Sequence, residues 1–368
     1  MPRHPNIAIR VDASLNIGTG HVMRTLTLAD ALRERGADVE FICREHSGNL
    51  IEVVKKHGYP CHQLPLQSST PNAENGTAHA AWLGASWQED AAATQQALSH
   101  KTYDWLIVDH YALDSQWERA MRPYTDKILV IDDLADRHHD ADLLLDQTLG
   151  RTPEAYQKLV PRTTQCLTGT TYALVRPEFS AIRDNARLHR AHQFPPKNLL
   201  IFFGGIDQHN LTGTALRALL IENPFTHIDV VLGGTAQHVA DVTALCKTLH
   251  ATLHIQCSNM HELMGNANLA LGAPGSTSWE RCTLGLPTLL VISAENQRSV
   301  AHALANTGAA SLIGEADQIT PPIIQSALRV FLNKNSAEYH QIIENCRKVC
   351  DGLGVHRITK YLLTREGA

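Results

Sequence analysis

Ile7-Ala8-Ile9-Arg10-Val11-Asp12-Ala13-Ser14-Leu15-Asn16-Ile17-Gly18-Thr19-Gly20-His21-Val22-Met23-Arg24 is the stretch that decides the fold. Its first five residues are mostly apolar and β-branched, the pattern of a strand, and they lead into a glycine-bearing turn. From His21 onward Val22, Leu26, Leu28, Ala29 and Leu32 recur at helical spacing until Gly36, a natural left-handed stop. Strand, glycine turn and helix in that order open a βα unit. Glycines let backbone approach a ligand, and a helix start offers unpaired N–H groups suited to a diphosphate or a developing oxyanion. Gly18 and Gly20 are therefore expected to line a ligand, with His21 where the loop becomes helix. A positive helix end disfavours imidazolium, which leaves the neutral form a general base requires. The competing reading is a tight turn with a satisfied histidine. Met23, where a glycine would complete GxGxxG, argues against a dinucleotide-binding fold.

The rhythm repeats along the chain. Val39–Cys43, Trp105–Asp109, Ile128–Asp132 and Leu143–Asp146 read as buried strands, several ending in an acid at the edge where open α/β sheets bind ligands. Either Asp109-His110-Tyr111 or Asp132-Asp133 could orient His21 or a water. Residues 67–86 turn polar and small, the composition of an exposed loop. The charged, proline-marked stretch Arg183–Lys197 reads as a linker. Beyond it Asn198–Phe203, Ile228–Leu232, Leu253–Gln256, Leu269–Leu271 and Thr288–Ile292 supply a second set of strands. A helix from Ser336, a break at Asp351–Gly354 and a closing helix from His356 end the chain. With 368 residues, more than one core usually serves, the expectation is two Rossmann-like α/β domains with a cleft between them. Their boundaries are placed at 1–190, 191–345 and a helical tail 346–368.

A second glycine turn, Gly272-Ala273-Pro274-Gly275-Ser276-Thr277-Ser278-Trp279-Glu280-Arg281, follows the strand at 269–271. Gly275, Ser276 and Thr277 can donate to a diphosphate, and Glu280 can accept from vicinal ribose hydroxyls. The alternative is a plain capping box of Thr277 and Glu280. In Phe203-Gly204-Gly205-Ile206-Asp207-Gln208-His209-Asn210, Gly205 is a candidate ligand contact, while Asp207 and Asn210 equally suit helix caps.

A formal charge of −5, with no basic, aromatic-interleaved stripe, argues against nucleic acid as a partner. No apolar run approaches the roughly 18 residues of a membrane span, and the N-terminus carries no leader pattern, so no membrane partner and a cytoplasmic address are expected. The eight cysteines form no CxxC pair and read as reduced, buried thiols. Asp132-Asp133 with His138-His139 lacks a recognisable ligand spacing, so no metal and no cofactor are expected.

In combination and order, several motifs resemble the UDP-2,4-diacetamido-2,4,6-trideoxy-β-L-altropyranose hydrolase family of pseudaminic acid biosynthesis. They are Arg10–Ser14, Gly18–Arg24, Val108–Tyr111, Ile131–Arg137, Leu174–Phe179, Phe203–Gly205 and Gly275–Arg281. Ile206, Gln208 and Pro274 depart from the family's serine, proline and glycine. The resemblance implies a GT-B fold, UDP held mostly by the C-terminal domain, and His21 as the base that activates water. It further implies C–O cleavage with inversion, releasing UDP and free sugar. Asp12, Gly18, Gly20, Arg24, Tyr111, Arg176, Gly205, Gly275, Ser276, Thr277 and Glu280 are its expected substrate contacts, with Asn259 and Met260 reading the uracil. The expected partner is a UDP-sugar alone, the chain being a monomer or weak homo-oligomer. A GT-B glycosyltransferase and a non-catalytic nucleotide-sugar binder are the alternatives.

Overall fold

A computed structural model describes residues 4–66 and 79–364. The chain forms two compact units, one of residues 1–174 with 353–368, the other of residues 175–352. Of the polar segment expected as loop, residues 67–78 lie outside the described part, and a 3₁₀ turn, Ala80–Leu83, follows it.

Unit 1 is built on seven strands: β1 Asn6–Val11, β2 Asp38–Arg44, β3 Cys61–Leu64, β4 Tyr103–Asp109, β5 Thr125–Ile131, β6 Leu143–Asp146 and β7 Gln165–Thr168. Their order is β3-β2-β1-β4-β5-β6-β7, with every ladder parallel. In β1 the alternation of side chains explains the unbroken apolar run. Ile7, Ile9 and Val11 join the core under helix Gly20–Arg33, and Ala8 joins a second core on the opposite face with Leu106, Val108 and Trp117. The chain progresses from β1 to β2 on one side and places β4 on the other. The loops after β1 and β4 thus leave neighbouring strands at a topological switch point, where such sheets bind ligands.

Unit 2 repeats the plan with β8 Asn198–Phe202, β9 His227–Leu232, β10 Thr252–Ile255, β11 Leu269–Gly272, β12 Thr288–Ile292 and β13 Ala310–Glu315, in the parallel order β10-β9-β8-β11-β12-β13. Its switch point lies between β8 and β11, so the loops at Gly204-Gly205 and Gly272–Thr277 are neighbours.

The stretch expected as a linker is instead mostly the helix Pro177–Ala191, which belongs to unit 2. Arg190 explains why its charges misled. The guanidinium is wholly buried and donates to the carbonyls of Ala267 at 2.8 Å, Met264 at 2.7 Å, Gly265 at 3.2 Å and also Leu284. Burial lowers its pKa to about 10, yet each of its three nitrogens donates to at least one carbonyl. The unit boundary accordingly falls at Leu174 rather than 190. The tail also divides differently from the expected 346–368 segment: helix Ser336–Val349 stays with unit 2, and helix Gly354–Leu363 returns to unit 1. Among the described residues no helix is long and apolar enough to cross a membrane.

Candidate functional site

In unit 1 the loop after β1 is held by its own backbone. The Ser14 hydroxyl accepts from the N–H of Ile17 at 2.9 Å, and Gly18 N–H donates to the Ser14 carbonyl at 2.8 Å. Gly18 has φ +81°, which a side chain would strain, and open space beside it. Gly20 begins helix Gly20–Arg33, whose first turn no side chain caps. His21 and Arg24, three residues apart, share one helical face turned toward the end of β4.

There the Asp109 carboxylate, wholly buried, meets both. His21 Nδ1 lies 2.6 Å from Oδ1, while Arg24 Nε donates to Oδ2 at 2.6 Å and Nη2 to Oδ1 at 2.7 Å. Arg24 Nη1 continues to Asp133 at 2.5 Å, which also accepts the Tyr111 hydroxyl at 2.9 Å. Burial alone would push the Asp109 carboxyl up, but Arg24 and His21 hold it well below the usual carboxylate range. An ionised carboxylate only accepts, so Nδ1 carries a proton, and in the neutral ring the lone pair is therefore on Nε2. The 3.3 Å approach of Arg24 Nη2 to Nδ1 is then a consequence of the shared carboxylate rather than a hydrogen bond. Nε2 has no hydrogen-bond partner among the described residues.

The Tyr111 ring stands edge-on to His21 at 4.6 Å. His79 and Trp82 pack on Tyr111 from the other segment, at 5.5 and 5.9 Å. Neither carried a signal in the sequence, because they follow a segment without periodicity. Arg24 is 7% and Tyr111 6% exposed, so both hold the site in place from beneath. Asp12 has no exposed surface at all. Its oxygens accept from Arg10 at 2.6 and 2.9 Å and from Arg44 N–H at 2.7 Å, which makes it part of the floor under the loop rather than a ligand contact.

In unit 2 Asp207 accepts from the N–H groups of Leu211 and Thr212, both at 2.9 Å, and Asn210 from Gly213 at 3.1 Å. That helix end is filled by the chain's own carboxylate. Gly205 sits so close to the neighbouring loop that a Cβ on Gly233 would collide with its carbonyl. The loop after β11 is different. Gly275, Ser276 and Thr277 lead into helix Thr277–Thr283, and Ser276, at the N-cap, makes no side-chain cap bond. The capping box of Thr277 with Glu280 is therefore not formed. Arg281, 3% exposed, lies behind the loop and donates to the Ala273 carbonyl at 2.8 Å and the Ser278 hydroxyl at 2.9 Å. Burial lowers it to about 10, so it stays charged at neutral pH and makes the loop electropositive. The sequence reading assigned it no role.

Glu280 is 9% exposed. Its Oε1 accepts from Arg176 Nε at 3.0 Å, and its Oε2, also buried, has no hydrogen-bond partner among the described residues. Burial raises its pKa against the pull of Arg176. A buried carboxylate oxygen with no donor is costly, and vicinal hydroxyls would satisfy it. Arg176 lies over the Phe179 ring at 4.8 Å, and His261 stands edge-on to the same ring at 6.1 Å. This joins the Asn259–Met260 turn to the Arg176–Glu280 pair. The Met260 side chain is buried, whereas Asn259 is half-buried and donates to Glu262 at 3.0 Å.

No family model matches the chain. It is similar to an uncharacterised protein of Methanocaldococcus jannaschii, 25% identical over 298 residues, which are 79% of this chain and 56% of that protein. The chain thus spans little more than half the length of that relative. It is also similar to the UDP-2,4-diacetamido-2,4,6-trideoxy-beta-L-altropyranose hydrolase of Campylobacter jejuni, 26% identical over 307 residues, 82% of this chain and 97% of the relative. Among solved structures it is similar to MurG of Acinetobacter baumannii, with a TM-score of 0.68 and 16% identity over 97% of this chain and 99% of that one. The calicheamicin glycosyltransferase CalG4 aligns over all of both chains, with a TM-score of 0.63 and 15% identity. The fold is GT-B-like: two α/β units, each on a parallel sheet.

Proposed function

We propose that this chain is an enzyme that hydrolyses a UDP-linked 2,4-diacetamido-2,4,6-trideoxy sugar of the L-altrose type to UDP and free sugar. The observation that carries the reading is the Asp109–His21 pair, which leaves Nε2 as a free, oriented base at the switch point of unit 1. Likeness to the Campylobacter hydrolase supports the substrate class.

In this reading Nε2 takes a proton from water as the water oxygen bonds to the anomeric carbon. The bond from that carbon to the glycosidic oxygen breaks, its electron pair leaves with UDP, and the anomeric configuration inverts. The Gly275–Thr277 loop, backed by the Arg281 charge, stabilises the departing diphosphate. Glu280 Oε2 accepts from the ribose, Arg176 holds Glu280 and reaches the substrate, and the backbone at Asn259-Met260 reads the uracil. Gly18, Gly20 and Gly205 line the bound molecule, while Arg24 and Tyr111 keep His21 in place. No cofactor enters these steps, and the chain works as a monomer or weak homo-oligomer in the cytoplasm.

The test is incubation of the purified protein with the UDP-sugar, first alone and then with sugar acceptors, followed by NMR. UDP and free sugar of inverted configuration are expected without acceptor. Release only in the presence of an acceptor makes the chain a glycosyltransferase, and binding without release makes it a sensor. UMP with sugar phosphate would move the cleavage to the P–O bond.

A further inference from the structure

Glu40 projects from β2 and is 5% exposed, yet its carboxylate is poorly paired among the described residues. Its closest cationic neighbour, Lys101 Nζ, is 3.4 Å from Oε2, and its Oε1 has no hydrogen-bond partner among the described residues. Two imidazoles converge on the same carboxylate. His62 of β3 brings Nε2 to 3.6 Å from Oε2, and His100, after helix Trp87–Leu98, brings Nε2 to 3.6 Å from Oε1. At 3.6 Å neither is a hydrogen bond.

The second nitrogen of His100 explains the direction of the first. Nδ1 donates to the Ala97 carbonyl at 2.8 Å, which puts the proton there and leaves a lone pair on Nε2. A histidine tied by one nitrogen to a backbone carbonyl while the other faces a cluster is the usual arrangement of a metal ligand. The Tyr103 hydroxyl lies 3.2 Å from that Nε2, and an incoming ion would take its place there. His62 Nε2 is itself buried without a hydrogen-bond partner among the described residues. Three lone-pair atoms from Glu40, His62 and His100 therefore all lie within 4.8 Å of one another. The edge of a tetrahedron with metal bonds of about 2.0 to 2.1 Å is roughly 3.4 Å, so both 3.6 Å imidazole–carboxylate separations are already close to it, and side-chain rotation closes the rest of the set.

We infer that Glu40, His62 and His100 form a zinc site in unit 1, with water as the fourth ligand. Two imidazoles and one carboxylate suit zinc rather than magnesium or calcium, which prefer all-oxygen shells. The ion supplies the partner that Oε1 lacks and displaces the ammonium of Lys101, whose side chain is 30% exposed and lies over the Tyr103 ring at 5.1 Å. The site clips edge strand β3 to β2 and to the connection before β4. It is independent of the proposed hydrolysis.

The test uses the untagged full chain, freed of metal, with zinc chloride and then cobalt(II) chloride as probes. One zinc per chain is expected by calorimetry, together with a higher melting temperature. Binding should weaken at least tenfold in both Glu40→Gln and His100→Asn, the second a half-exposed position that leaves folding intact. Cobalt should give the visible bands of a four- or five-coordinate ion without a sulfur charge-transfer band, which separates this site from the cysteines Cys43 and Cys61 nearby. No zinc bound, unchanged binding in either variant, or a sulfur band would each overturn the proposal.

Discussion

Asp109 sets the chemistry of His21 by deciding which nitrogen carries the proton. Replacing it with Asn should reverse the tautomer, because an amide can donate to Nδ1 and leave the proton on Nε2. Turnover is expected to fall about 10²- to 10⁴-fold with KM nearly unchanged, as measured by UDP release, and His21→Asn should fall by a similar factor. A drop confined to KM would assign Asp109 to binding instead. Glu280 makes a prediction of opposite sign for stability and affinity. Its pKa in the fold is raised by burial, so its carboxyl favours the folded state below the unfolded value and that favour is lost as pH rises through the folded value. Glu280→Gln should therefore raise the melting temperature at pH 7, with the gain shrinking as pH falls from the raised folded value toward about 4, the ordinary glutamate range. If Glu280 accepts from the ribose as proposed, the same change removes a charged acceptor worth about 1.5 to 3 kcal/mol, and UDP should bind roughly 10- to 100-fold more weakly by calorimetry. A variant that is less stable at neutral pH and binds UDP normally would make Glu280 a purely structural partner of Arg176.

At the scale of elements, two glycines at the turn after β11 separate packing from function. A Cβ on Gly275 meets nothing within 4 Å, whereas one on Gly272 would lie 2.7 Å from the Phe202 carbonyl. Gly275→Ala should leave the melting temperature unchanged and weaken UDP binding, while Gly272→Ala should lower the melting temperature; equal effects on both would deny the loop a ligand role. The ten strands read from the sequence are all present; nine are inner strands, whose burial makes them near-continuous apolar runs, and the tenth, β10, is an edge strand read from its alternation. The three that were not read, β3, β7 and β13, are all edge strands. Their Cys61-His62-Gln63-Leu64, Gln165-Cys166-Leu167-Thr168 and Ala310–Glu315 are only partly covered and carry a mixed pattern. The loops carrying His21 and Glu280 were legible for the same reason the strands were: each sits directly behind an apolar run. The pairing of His21 with Asp109, 88 residues away, was open among several acids and needed the β1–β4 adjacency to decide it. Glu40, His62 and His100 share no local spacing, and a search for metal motifs passes over them.

At the scale of the molecule, unit 1 is assembled from both ends of the chain. Val355, Ile358 and Leu362 of the last helix lie in the same core as Ile7, Leu26 and Leu28, and Trp105 Nε1 donates to the Leu362 carbonyl at 3.0 Å. Helix Gly20–Arg33, which carries His21, thus depends on residues more than three hundred positions away, while the core of unit 2 uses none of them. Ile358 is wholly buried, and Ile358→Ala should cost about 2 to 5 kcal/mol through lost burial and the cavity left behind. The loss should be felt unevenly. Hydrogen exchange in helix Gly20–Arg33 and in β1 should accelerate, and hydrolysis should fail at a lower temperature, while exchange in β8 and β11 and the affinity for UDP stay as they were. Equal acceleration in both units would show instead that they unfold as one cooperative block.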